Sequence, residues 1–189
     1  MEILAKHSPD LVTVHARTVK ERYGSPVHYE YVKRAAERLG CPVLANGNIH
    51  SPAKAAEVLK FSGAAGLMIG RAAVRNPWLF EQIRRGLRGE PVLLPTGREI
   101  VGYVRDLQES ARADNPREQS QVQRLKKFMN YLGLGVDPDG AFLHAIRRAT
   151  TMAEFDGIIR EFLDHDRPMR LEPYDLGLPE SDVLAGDHY

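Results

Sequence analysis

The sequence predicts an α/β chain in which a parallel sheet of βαβ units is followed by a small all-α helical bundle. Two observations carry this. In the first ninety residues, short apolar runs alternate with helix-length segments, and the runs are continuous, as in parallel strands covered on both faces. From residue 98 onward only a helical period remains. The 189 residues, 43% hydrophobic and 27% charged, suffice for one or two domains with a real core.

The elements follow in order. The β-branched run "LVTVH" (11–15) predicts the first strand; the loop "ARTVKERYGSP" and a helical segment through Leu39 come after it. "CPVLANG" (41–47) predicts the second strand. Ser51 then caps a helix that has Pro52 at its first position and Gly63 just past its end. "AGLMIG" (65–70) predicts the third strand, and Pro77 opens the helix "PWLFEQIRRGLRG". The segment "GEPVLLPTGRE" (89–99) reads as a linker. Four helical patterns follow: "REIVGYVRDLQESAR", "EQSQVQRLKKFMNYL", "GAFLHAIRRAT" and "MAEFDGIIREFLDH". The domains are therefore expected at 1–90 and 98–168, with a flexible tail over 170–189, where Pro, Gly and acids replace any period.

Composition narrows the function. A net charge of +1 advertises no global field for nucleic acid, so such a site must come from local patterning. Cys41 is the one cysteine, which leaves no disulfide framework and no Cys-based metal site. It precedes Pro42 at the start of a strand and reads as a packing thiol. No apolar stretch approaches membrane-span length, and a cytoplasmic protein is expected. "DPDG" (137–140) reads as a turn rather than a calcium loop. Trp78 and Phe80 read as packing residues. No nucleophilic triad and no metal-ligand spacing stands out, so no metal is expected.

In a parallel sheet the residues after each strand gather on one face. Here they are His15 with Arg17, then Asn46, Gly47 and Asn48, then Gly70 with Arg71. In (β/α)₈ barrels that face carries the active site, and the loops after the last two strands commonly hold a phosphate. A backbone N–H approaches a phosphate closely where no Cβ intervenes, and Arg71 adds a forked, permanently charged donor. Each piece has an ordinary reading on its own, as a turn glycine or a strand-end histidine. Three successive strand ends together point to a phosphate cup.

The helical part carries a second signal. Val122, Leu125, Met129 and Leu132 share one face and predict core, while Arg124, Lys127 and Tyr131 fall opposite, with Lys126 at the flank. From 117 to 148 six Lys/Arg face three acids; from 153 to the end three basic residues face ten acidic ones. A basic face bearing an aromatic suits a phosphate backbone. A solvated helix face has the same periodicity.

"LVTVHARTVKERYG", "PVLANGNI", "GLMIGRAAVRNPWLF" and "RLKKFMNYL" resemble, in that order, the C-terminal half of the tRNA-dihydrouridine synthases, over roughly residues 1–165. The resemblance implies the last three strands of an FMN-binding TIM (β/α)₈ barrel followed by a helical tRNA-binding domain. It also implies NADPH-driven reduction of the C5–C6 double bond of tRNA uridines. His15, Asn46, Gly47, Asn48, Gly70 and Arg71 match the family's FMN-contacting positions. Arg17 and Lys126 match positions facing tRNA, and Lys127 stands where the family often has histidine; with Arg124 these form the expected RNA-binding set. Two departures show: Ala16 for a usual glycine, and Asn48 for a common aspartate.

The family's proton-donating cysteine follows the fourth barrel strand, so the resemblance places no catalytic residue in this chain. The remainder of the barrel is needed for a complete site, and the chain alone is expected to be inactive. Two other functions stay open on the residues: another FMN barrel oxidoreductase acting on a small molecule, and a non-catalytic RNA-binding derivative of the family.

Overall fold

The computed structural model describes residues 2–21 and 25–175, and the chain forms two compact units. The first comprises the residues up to Ala73 together with Leu79–Val92; the second comprises Val74–Trp78 together with the residues from Leu93 on.

The first unit opens with the short helix α1 (Glu2–His7) and continues into β1 (Val12–His15), α2 (Tyr29–Arg38), β2 (Val43–Asn46), α3 (Pro52–Ser62) and β3 (Gly66–Met68). The strands form one parallel sheet in the order β1-β2-β3, with His15 opposite Asn46 and Asn46 opposite Met68. Helix α3 is bounded as its sequence dictates. The Ser51 hydroxyl accepts from the Lys54 N–H at 3.2 Å, Pro52 occupies the first turn, and Gly63 ends the helix in the left-handed region at φ 65°. After β3 come α4 (Arg71–Arg75) and α5 (Leu79–Leu87).

The sheet is covered on one face. Val12 and Val14 stand opposite Val43 and Ala45, and all four pack with Val32, Ala35 and Val58 of α2 and α3. The other set, Leu11, Thr13, His15 and Met68, is exposed, Leu11 and Met68 each by half. This corrects the expectation of strands covered on both faces. The apolar residues of the open side are present, but the helices of this unit lie against one side of its sheet.

The second unit is helical: α6 (Gly97–Asp114), α7 (Glu118–Leu132), α8 (Ala141–Arg148) and α9 (Met152–Leu163), with a 3-10 turn at Gly133–Gly135. Reciprocal side-chain bonds fix two helix starts, Thr96 with Glu99 on α6 and Thr151 with Glu154 on α9. The core joins Ile100, Val104, Leu125, Met129, Phe142, Ile146, Phe155 and Leu163. "DPDG" is a turn whose Asp137 carboxylate accepts from the Ala141 and Phe142 N–H groups at 2.8 and 3.0 Å, holding the start of α8.

Two details differ from the sequence reading. Val74–Trp78, expected in the first domain, packs in the second unit: the Trp78 ring meets Tyr103 edge-on at 6.2 Å, and the Tyr103 hydroxyl donates to the Val74 carbonyl at 2.9 Å. Pro77 and Trp78 therefore form a turn, and α5 starts at Leu79. The second concerns the tail. Leu171 is buried, the buried Arg75 guanidinium donates to its carbonyl at 2.8 Å, and the Tyr174 N–H donates to the Leu134 carbonyl at 2.8 Å. Residues 170–175 are thus tied down where a flexible tail is expected; the rest of that expectation, 176–189, lies outside the described residues.

Candidate functional site

Parallel pairing places the ends of β1 and β2 side by side, so His15 and Asn46 stand next to each other on the open sheet face. The Asn46 amide donates to the Met68 carbonyl at 2.9 Å, which ties the end of β2 to that of β3. Gly47 follows at φ 125°, a conformation L side chains rarely adopt. A Cβ there would meet the Val27 methyl carbons at 2.9 and 3.0 Å and His15 Nδ1 at 3.6 Å. The Tyr29 hydroxyl donates to the Gly47 carbonyl. Burial raises the Tyr29 pKa above the ordinary phenol value, so the hydroxyl stays a donor. Lys54 lies over the ring at 5.4 Å. Asn48 takes φ 47°, which asparagine tolerates better than most residues.

The loop after β1 closes against the same place. Arg17 donates through Nε to the Ser25 carbonyl at 2.8 Å, and a second guanidinium nitrogen reaches Asn48 Oδ1 at 3.5 Å. Ala16 is buried in the sheet–helix core, and its carbonyl accepts from the His28 N–H at 2.9 Å. Glu21 locks the loop. Its carboxylate accepts from the Thr18 N–H at 2.7 Å and meets His28 Nε2 at 2.6 Å. The Thr18 N–H, then His28, hold the Glu21 pKa down to about 2, and the Glu21 hydrogen bond raises that of His28. Gly70 and Arg71 lie two and three residues past the end of β3. A Cβ on Gly70 would have open space around it, and Arg71, half-buried, begins α4.

The first unit therefore brings His15, Arg17, Asn46, Gly47 and Asn48 together around the β1 and β2 ends, with Gly70 and Arg71 at the end of the neighbouring strand. Cys41 is two residues before the start of β2, at the opposite end of that strand from Asn46 and Gly47.

In the second unit, a groove of about 770 Å³ runs along α7, lined by Gln119, Gln123, Arg124, Lys127, Phe128 and Tyr131 among others. Arg124, Lys127 and Tyr131 share it because they lie three and four residues apart on the face opposite Leu125 and Met129. Arg124 also pairs with Asp114 across half-exposed side chains. Lys126 stands apart, half-buried on the flank toward Glu154, whose carboxyl is held low chiefly by the Thr150 N–H and hydroxyl and least by Lys126.

Sequence reasoning missed Gln119, Gln123 and Phe128 as lining groups. The helical period that selects Lys127 also selects them, since each is four residues from another groove residue or one turn away. It missed Val27 and Tyr29 as the packing behind Gly47; nothing in their spacing announces a contact across the β1 loop.

No helix among the described residues is long and apolar enough to cross a membrane, and none of their His, Cys, Asp and Glu side chains cluster in groups of three or more suited to a metal ion.

The family model for dihydrouridine synthases matches residues 2–148. The chain is 28% identical over 151 residues to the tRNA-dihydrouridine(16) synthase of Neisseria meningitidis serogroup A, covering 80% of this chain and 45% of that protein. It is 33% identical over 146 residues to a probable tRNA-dihydrouridine synthase of Rickettsia bellii, covering 77% and 44%. Against the probable tRNA-dihydrouridine synthase of Helicobacter pylori identity rises to 45% over 86 residues, 45% of this chain and 26% of that one. The chain thus spans less than half the length of these curated relatives.

Proposed function

Because the chain belongs to the dihydrouridine synthase family, we propose that it is the later part of an FMN-dependent barrel enzyme with the helical domain that holds tRNA. The whole enzyme reduces the C5–C6 double bond of tRNA uridines with NADPH as electron source. The sheet of three parallel strands is read as the last three of a (β/α)₈ barrel, and its open face as the barrel interior. The open face and the short span against the relatives both support that reading.

The observation that carries the cofactor assignment is the pair of glycine-bearing strand ends on adjacent strands. At Gly70 a Cβ would meet nothing, and at Gly47 the backbone is held in a glycine conformation by Val27 and Tyr29. The open space at Gly70 suits close approach of a phosphate, and Arg71 supplies a charge-assisted donor beside it. These residues fit a phosphate. Asn46, Gly47, Asn48, Gly70 and Arg71 would hold the phosphate of FMN, while His15 would contact the cofactor from the open sheet face. When bound, the flavin supplies hydride transfer; the residues of this chain bind and orient it. Cys41 is no proton donor to that reaction, since it sits at the far end of its strand. The donor belongs to the part of the enzyme outside these residues, and the chain alone is inactive.

Arg124, Lys126, Lys127 and Arg17 are assigned to RNA, with Lys127 the strongest member because it is exposed and sits mid-groove. The protein works in the cytoplasm, where its substrate is. Mass spectrometry of tRNA from cells in which this coding segment is disrupted tests the function. Loss of dihydrouridine at a defined set of positions is expected; unchanged dihydrouridine at every position overturns it.

A further inference from the structure

The groove on α7 is more than a positive surface. It sets two aromatic rings, Phe128 and Tyr131, beside two primary amides, Gln119 and Gln123, and two cations, Arg124 and Lys127. Its volume, about 770 Å³, is that of a small-ligand site. Two described acids of these helices are engaged elsewhere. Glu118 accepts from the Met152 N–H at 2.7 Å, and Asp137 holds the start of α8. Asp114, which pairs with Arg124, is half-exposed, so a phosphate oxygen can replace it at little cost.

We infer that this groove holds one unstacked nucleotide of the bound RNA, its base against Tyr131 and Phe128, its edge read by Gln123 and its phosphate held by Arg124 and Lys127. The inference rests on the RNA-binding reading above and adds to it a stacking subsite. A duplex buries its bases against each other and offers α7 phosphates alone. An unpaired nucleotide offers a π-face, donor and acceptor edges and a phosphate together, which matches what the groove presents. A site for phosphates alone would have no use for the aromatic and amide residues.

The test measures fluorescence anisotropy of the full chain with a short single-stranded oligoribonucleotide, the blunt duplex of the same sequence, and tRNA. The single strand is expected to bind more tightly than the duplex. Tyr131→Ala should weaken single-strand binding roughly five- to 150-fold without changing the salt dependence, and Tyr131→Phe should keep it. Gln123 is exposed, so Gln123→Ala leaves the fold intact, as a thermal melt will verify, and should weaken the single strand more than the duplex. Equal affinity for single strand and duplex, or parental affinity in both Tyr131→Ala and Gln123→Ala, overturns the subsite. Retained tRNA binding that still depends on Lys127 would then leave the RNA-binding reading standing. Failure to bind any of the three RNAs overturns both.

Discussion

Gly47→Ala tests whether the β2 end is built around a glycine. The perturbation has two parts. At φ 125° an alanine is strained by roughly 1–3 kcal/mol, the range for residues held in sparsely populated backbone regions. The new Cβ also starts 2.9 and 3.0 Å from the two Val27 methyl carbons, closer than carbon atoms pack. Val27 cannot simply rotate away, since either Cγ lies in range, so the β1 loop must shift at a cost of about 1 kcal/mol or more. Together these predict a loss of about 2–4 kcal/mol. In a unit of under about 100 residues that corresponds to a fall of roughly 8–30 °C in the unfolding midpoint of the sheet unit. Gly70→Ala is the matched control, because its Cβ meets nothing within 4 Å and its φ is ordinary. It should melt within about 0.5 kcal/mol of the parent, while still obstructing a phosphate. The assay is thermal unfolding followed by circular dichroism on the parent and both variants. Equal midpoints for Gly47→Ala and Gly70→Ala would refute the reasoning, and Gly47 would be an ordinary turn residue.

The loop held by Glu21 and His28 should show a bell-shaped pH dependence. The lowered Glu21 pKa contributes stability that is present above about 4.3, the unfolded value, and lost as pH falls toward about 2. The raised His28 pKa contributes stability that is complete below about 6.5 and lost as pH rises through its folded value. Amide exchange at Thr18, measured by NMR, should therefore be slowest relative to intrinsic rates between those limits, and Glu21→Gln should flatten the profile. Lys127→Ala should lower the slope of log tRNA affinity against log salt by about one and weaken different tRNAs alike; an unchanged slope returns that side of α7 to a solvated face. In the complete enzyme, Arg71→Ala should cost roughly ten- to hundredfold in FMN affinity, the worth of one hydrogen bond to a charged group, as read by fluorescence titration. Thr151→Ala removes the hydroxyl that caps α9 and should destabilise the helical unit by about 1 kcal/mol in urea denaturation.

What was legible in the sequence was whatever local chemistry decides. Ser51, Pro52 and Gly63 bound α3 because capping and left-handed glycine are properties of three or four neighbouring residues. Val122, Leu125, Met129 and Leu132 are buried because a helix repeats every 3.6 residues whatever it packs on. Coverage of the strands was not legible. "LVTVH" is apolar on both sides, and its sequence is the same whether the second side meets protein or solvent. The turn at Pro77 was hidden for a related reason: Trp78 belongs to the helical unit, and only its tertiary partner, Tyr103, shows it. The tail strap is a third case, since Arg75 and Leu171 are far apart in sequence.

The two candidate sites sit where each core leaves the chain free. In the sheet unit, burial claims Val12, Val14, Val43 and Ala45 on one face, and pairing fixes the strand backbones. His15, Asn46 and the loop residues beyond them lie past the last ladder bonds or on the open face, so substitutions there can alter binding without emptying the core. Gly47 is the exception, because its backbone geometry is itself structural. On α7 the same division runs around the helix. Met129 and Leu132 are fixed by the bundle, whereas Gln123, Arg124 and Lys127 are exposed on the face opposite. Lys126 shows why spacing alone is a poor guide to such a face. One residue is about 100° of rotation, enough to carry Lys126 from the groove to the side of Glu154, while Lys127 remains in it. A double substitution of these neighbours would confound the two environments. Lys127→Ala should register in RNA affinity, whereas Lys126→Ala, whose charge lies off the groove, should change that affinity less. The two single variants, titrated in parallel, separate the lysine inside the groove from the one at its flank.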